Sequence, residues 1–395
     1  MAGEKLYRDP NLLIVFGVTL TAVLAVSSIA PALPTIRDAL GISDLQVGLL
    51  ITAFTFPGMV LAPFLGVLAD RYGRKRILVP SLFLFGIAGT ACALAPDFNT
   101  LVTLRVFQGV GGAALGSINT TVIGDMYAGR QRAAAMGLNA SVLNVGTAAY
   151  PLIGGALAAL AWFYPFYLSL IAIPVGILVI TRLRNPEPRN REGLKEYLGG
   201  TWGYLKNRKV VALFAAGVLT FVILYGAYLT YLPLLLYDSF QASDFSRGLI
   251  MSFMALTTAA VASQLGRITG WLSETMLIRL AFILYAVALA MVPLMPSMWL
   301  LLVPIFIFGI AHGVNMPSIQ TQVAGLAPLE YRAAFMSINS TMLRLGQTIG
   351  PPLVGLFYVF GGTDAAFYAT AGLALLAAAI ALLIRRTGGS PRADE

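Results

Sequence analysis

The chain has 395 residues, of which 58% are hydrophobic and 11% charged, and its mean hydropathy is +0.81. Soluble domains carry about a quarter of their residues as charges, so a water-soluble fold is excluded and lipid must be the solvent for most of the chain. The net charge of +9 is scattered in short clusters between apolar runs, against a nucleic-acid surface, and the lone Cys92 and lone His312 leave neither a disulfide within the chain nor a familiar metal-ligand spacing.

A bilayer core takes roughly 20 apolar residues per helix, and by that measure the sequence holds twelve spans. The first half gives 11–34, 45–69, 77–95, 99–123, 132–160 and 163–182. The N-terminal run follows Lys5 and Arg8 as a signal peptide would, but it is long enough to span and is taken as the first transmembrane helix. The second half gives 210–236, 245–267, 276–294, 298–323, 332–360 and 364–384. Ser43 and Ser243 stand where they can cap the second and eighth helices. With the N-terminus inside, all but four of the 26 Lys and Arg residues fall on the cytoplasmic side; Arg37 and Arg247 lie outside, and Arg105 and Arg344 within spans. Both termini are therefore expected in the cytoplasm. The polar stretch between the halves divides the chain into 1–182, a linker 183–209, and 210–395. That stretch suits a basic interfacial helix or a plain linker about equally.

The halves repeat at a spacing of 200 residues. Arg132, Met136, Asn139, Leu143, Gly146, Pro151 and Gly155 match Arg332, Met336, Asn339, Leu343, Gly346, Pro351 and Gly355. Asp38, Ser43, Gly48, Gly66 and Gly109 match Asp238, Ser243, Gly248, Gly266 and Gly309. Two similar six-helix bundles are an architecture for moving a solute through a site at their interface.

Three motifs carry a family resemblance. "GVLADRYGRKR", 66–76, joins the second and third spans and crowds Asp70, Arg74, Lys75 and Arg76 between apolar runs. It resembles the signature between the second and third helices of the major facilitator superfamily. "LVTLRVFQGVGGAALG", from Leu101, is similar to the family's fourth-helix motif. "GLNASVLNVGTAAYPLIGG" resembles the fifth-helix motif of its antiporter branches through Gly137, Gly146, Pro151, Gly154 and Gly155, with Tyr150 departing where a glycine is expected. The resemblance covers the whole chain. It implies an all-α membrane protein of twelve helices in two pseudo-symmetric bundles, resembling the twelve-helix drug:proton antiporters of the prokaryotic inner membrane.

The resemblance also implies roles. Asp70 would lie near the N-terminal end of the eleventh helix, where helix ends favour anions. Arg74 would pair with Asp125 at the end of the fourth, forming a cytoplasmic lock. The second-half counterpart, "GRITGWLSETM", retains Gly266 but has Gly270 and Glu274 in the positions of Asp70 and Arg74, so no second lock is expected. The first, fourth, seventh and tenth helices would line the cavity, flanked by the second, fifth, eighth and eleventh.

Within that frame the polar residues become candidates. Arg105, Gln108, Gly112 and Asn119 share one helical face. An arginine inside a span costs roughly 2.5–3.5 kcal/mol, so Arg105 should face protein or water, or else snorkel to the interface. On the eleventh span Ser337, Thr341, Arg344 and Gln347 form a polar stripe, while Gly346 and Gly350 form a packing stripe. Arg344 lies roughly 18 Å deep at 1.5 Å per residue. Its partners are expected to be water, backbone carbonyls or substrate. His312 and Asn315, one turn apart, suit either packing or binding. Tyr225, Tyr228 and Tyr231 suit either packing or an amphipathic ligand.

No Asp or Glu lies deep in a span, which leaves His312, with Arg105, as the candidates for proton coupling. The expected function is proton-coupled export of small amphipathic organic molecules by alternating access. The alternatives are an organic-anion or metabolite transporter with Arg105 and Arg344 binding the anion, and a lipid flippase. An enzyme, a receptor and an ATP-driven pump all lack their motifs. No cofactor is expected. The expected partners are a small-molecule substrate, protons and membrane lipids, with the protein a monomer.

Overall fold

The computed structural model describes residue 6 and residues 8–184, 207–326 and 332–384. Most of the linker 183–209 lies outside the described residues. Ten apolar runs form separate membrane-length helices: α1 Pro10–Leu40, α2 Asp44–Tyr72, α3 Arg74–Leu94, α4 Phe98–Met126, α5 Gly129–Ala158, α6 Tyr164–Thr181, α7 Arg208–Phe240, α8 Asp244–Ser263, α9 Glu274–Leu294 and α10 Leu302–Leu326. The stretch Arg332–Ala381 is two helices, because Gly361 and Gly362 are non-helical and Gly362 has φ +68°. These are α11 (332–360) and α12 (363–381). No strand occurs among the described residues. In hydrocarbon each backbone N–H and C=O needs an internal partner, which leaves helices as the way for such runs to cross.

The helix starts are written locally. Gln46 N–H donates to Ser43 Oγ, and Ser43 N–H donates to Gln46 Oε1, closing a capping box at α2. Ser243 caps α8 and Ser273 caps α9 through the amides of Ser246 and Met276. Asp97 caps α4, and the amide and hydroxyl of Thr100 hold its carboxyl below the ordinary range. Tyr127, in the turn after α4, donates its hydroxyl to Asp9 ahead of α1 at 2.5 Å. Burial and that carboxylate push the Tyr127 phenol up.

Several helices depart from the regular form, and three of these departures bear on the site. α1 passes through a 3₁₀ turn at Ala30–Ala32 beside Pro31 and Pro34, then runs on to Leu40, six residues past the apolar run. Hydropathy stops at the interface and the helix does not, so Arg37 and Asp38 sit in its last turn. α4 is interrupted at Ala113 and Ala114. α7 is π-helical over Leu224–Tyr231, and the Thr230 hydroxyl there donates to the carbonyl of Tyr225, five residues earlier.

Helices α1–α6 and α7–α12 form the two bundles. α2 packs on α11, and α5 on α8, across the bundle interface. The repeat becomes a pseudo-two-fold there. A Cβ at Gly248 would meet the Pro151 carbonyl, and one at Gly48 would lie 3.3 Å from Pro351 Cβ. Side-chain-free positions allow this approach. Both contacts lie toward the face that carries the α1–α2 and α7–α8 turns, the distal face. The opposite, basic face carries Arg71, Arg74, Lys75 and Arg76. Toward it Gly66 of α2, Gly137 of α5 and Gly266, just past the end of α8, would offer a Cβ no neighbour within 4 Å. Among the described residues, hydrogen bonds between the bundles run from mid-helix to the distal face. The molecule is closed at the distal face and parts toward the basic one.

Candidate functional site

Arg344 is the deepest charge at the bundle interface. α11 carries it halfway along its length, half-buried, with Nη1 against Gly58 of α2. Its Nη2 donates 3.3 Å to the carbonyl of Ala113, at the interruption of α4 in the other bundle. A helix break frees carbonyls, and a guanidinium is the donor that can reach one across an interface. Its other nitrogens have no hydrogen-bond partner among the described residues. One turn on, Thr348 bonds Thr55 at 3.2 Å, and Thr52 donates to the Thr348 carbonyl. Gln347 is half-buried beside this seam, and Tyr225 lies near Arg344.

Arg105 is in a different environment. It is fully buried inside the first bundle, donating to the carbonyls of Leu50 and Ala25 at 3.1 Å each and to Gln108 Oε1 at 2.7 Å. Its guanidinium lies 4.7 Å from the Phe54 ring centre. Gln108 in turn donates to Ser169 of α6. Arg105 therefore neither snorkels nor faces the interface in this state; it ties α1, α2 and α4 together. The single face drawn from Arg105 to Asn119 is not continuous, because α4 breaks between them. Asn119 donates instead to Thr19 of α1, and Thr19 to Asn139 of α5 at 2.5 Å.

The second bundle has a matching polar knot. Asn315 of α10 donates to Thr220 of α7 at 2.8 Å, as Asn119 does to Thr19. His312 lies half-buried with Nδ1 2.6 Å from the Tyr285 hydroxyl of α9. The tyrosine stripe of α7 disperses, because π-helical winding turns residues three apart away from one another. Tyr225 packs on Phe221. Tyr228 donates 2.8 Å to the Met251 carbonyl and stacks on Phe308. Tyr231 is fully buried against Tyr358 and Gly355.

At the basic face Arg74 pairs with Asp70 and places Nε 3.2 Å from Asp125. All three belong to the first bundle. The glycine motif is split. Gly146, Gly154, Gly155, Gly346 and Gly350 each face a neighbour that a Cβ would press on, and Pro151 is buried beside them. Gly137 is exposed with no such neighbour, so packing does not explain it here; its part of α5 lies where the bundles have separated.

A polar cluster at the distal face was missed. Arg37, Asp38 and Asp44 from one bundle meet Tyr237, Asp238, Asp244 and Arg247 from the other. The repeat marked this corner at positions 38, 43 and 48, but charge counting read Arg37 and Arg247 only as outer-face cations.

Two like bundles around a polar midline, closed at one face, define a membrane transporter of the alternating two-bundle class. The chain belongs to the Major Facilitator Superfamily, whose family model matches residues 15–324 and 238–395. It is a transporter and not an enzyme. It is 24% identical over 358 residues to the bacillibactin exporter of Bacillus subtilis (strain 168), covering 87% of this chain and 88% of that one. It is 25% identical over 374 residues to the quinolone resistance protein NorA of Staphylococcus aureus (strain MRSA252), covering 91% and 92%. Among solved structures, it superposes with TM-score 0.80 and 19% identity on a bacterial homologue of the human lysosomal transporter Spinster in an inward-facing, occupied conformation, covering 98% and 99%. The human organic anion transporter MFSD10 gives TM-score 0.72 at 18% identity, covering 94% and 99%.

Proposed function

We propose that the protein is a proton-coupled exporter of small amphipathic organic molecules, in a prokaryotic plasma membrane, with both termini and the basic face in the cytoplasm. The observation that carries this is Arg344, held at mid-depth between bundles that part toward the basic face. A solute entering from that side meets a guanidinium with donors to spare and one weak carbonyl contact to displace. The similarity to a siderophore exporter and to drug-resistance transporters supports the direction.

Arg344 suits a ligand bearing a carbonyl, carboxylate or similar acceptor. It opposes multivalent cations, since no carboxylate lies deep in a span. The organic-anion reading shares this residue. It rests on Arg344 alone, because Arg105 is enclosed by carbonyls. Coupling is assigned to His312, the one histidine, beside Tyr285.

The test uses reconstituted vesicles with a pH dye inside. Addition of anionic or carbonyl-bearing amphiphiles should release an imposed proton gradient, and the same compounds should raise the melting temperature of the purified protein. Thermal stabilisation without proton movement would reject the coupling. Stabilisation by dications alone would reject the substrate class.

A further inference from the structure

The two distal corners are repeats of one another. α1 and α7 end at Leu40 and Phe240 on left-handed residues, Gly41 at φ +62° and Gln241 at φ +50°. Ser43 and Ser243 then cap α2 and α8, with Asp44 and Asp244 in their first turns. The corners face each other across the pseudo-two-fold, and their bonds cross reciprocally. Arg37 donates twice to Asp238, at 2.8 and 3.1 Å. Tyr237, which occupies the position of Arg37 in the other half, donates to Asp38, the equivalent of Asp238, at 2.6 Å. Thr35 donates to Asp244 at 2.6 Å, and Arg247 donates to Thr35 at 2.9 Å. The Tyr237 ring lies 5.6 Å from the Arg37 guanidinium and 5.1 Å from that of Arg247.

We propose that these corners form a reciprocal clasp that sets the distal gate, closing as one unit in the state seen here and parting when the solute leaves on that side. The inference rests on the alternating-access reading. Two features support it. The crossing donors and acceptors sit in the last two turns of α1, the last turn of α7 and the first turn of α8, so a rigid rotation of the bundles separates all of them together. The charges are also arranged for reversible opening. Arg37 keeps Asp38 and Asp44 within its own corner, and Arg247 keeps Asp244 and the Ala242 carbonyl. Opening therefore breaks crossing bonds without leaving either arginine bare. A clasp of partly solvated bonds is weak enough to yield to a ligand. Arg37 and Asp238 are 16% and 34% exposed, so water still screens the pair, and a solvated ion pair shifts an equilibrium about 1.5- to 5-fold.

The test reads distance and needs no substrate. Spin labels at Ala39→Cys and Ser239→Cys, both exposed and outside the crossing bonds, report the distal gap in full-length, ligand-free protein; Cys92 is buried. Asp238→Asn should raise the ratio of long to short distances about 1.5- to 5-fold, and Tyr237→Phe about 2- to 12-fold, the net worth of one hydrogen bond. Asp97→Asn, at the same face but bonded only within its own helix start, should leave it unchanged. Tyr237→Phe removes a single hydroxyl and keeps the fold testable if the charge change does not. An unchanged distribution in both clasp variants overturns the clasp, even with transport intact. Failure of proton coupling with the expected shift overturns the proton-coupled reading and leaves the clasp standing.

Discussion

At the scale of single residues, the two intramembrane arginines show how depth and depth alone misleads. Both arginines are cations within apolar spans and both are candidates for substrate, with Arg105 nearer an interface and Arg344 deeper. Arg105 ends enclosed by carbonyls and a glutamine amide, and Arg344 ends on one carbonyl across an interface. Arg344→Gln is therefore expected to weaken binding of anionic or carbonyl-bearing ligands by about 1.5–3 kcal/mol, the range of a hydrogen bond to a charged group. Apolar neutral ligands should lose less, and Arg344→Lys should restore the loss only in part, since the planar fork is gone. Ligand-induced shifts in melting temperature measure this, and equal shifts in wild type and variant would make Arg344 structural. His312 carries the second residue-scale prediction. His312→Gln should flatten the pH dependence of transport while leaving ligand-induced stabilisation in place. A wild-type pH profile in that variant would assign the proton elsewhere.

At the scale of elements, close approach at the α5–α8 crossing decides whether the distal face can shut. A Cβ at Gly155 would meet the Asp244 carbonyl of α8, and one at Gly248 of α8 the Pro151 carbonyl of α5. Gly155→Leu should oppose closure by about 1–3 kcal/mol, the usual cost of overpacking. That is roughly a 5- to 150-fold fall in the ratio of distally closed to distally open protein. Gly137→Leu, on the same helix but facing open space, should leave the population nearly unchanged. Cysteine-reagent labelling at the distal face separates the two, and equal labelling would place the bundle contact elsewhere. The glycine motif was legible as a motif. Which of its members pack was not, because that depends on which part of α5 is in contact in a given state.

At the scale of the whole molecule, two charged clusters stand at opposite faces. The distal one crosses between bundles; Asp70, Arg74 and Asp125 lie within one bundle and hold the α2–α3 turn to the end of α4. In a state closed at the basic face, Asp70 would be free to meet the start of α11. Asp70→Asn should then increase labelling of Ala140→Cys, an exposed α5 position toward that face, with little change in melting temperature. Unchanged labelling would count against a lock.

The sequence by itself determined the twelve helices, the two bundles and their family. Hydropathy is a local property, and lipid enforces it one span at a time. It also made the Arg74–Asp125 pairing legible, through a motif that joins two helix ends. The tertiary structure alone decided the rest. The winding of α7 scattered three tyrosines that the sequence places three apart. The enclosure of Arg105 depended on the packing of α1 and α2, which bring the Ala25 and Leu50 carbonyls to α4. The distal partners Arg37 and Asp238 are 201 residues apart, and their meeting depends on how far the bundles have rotated. Composition says which residues leave water. The rotation and approach of whole helices, set by close packing, decide what each polar group finds there.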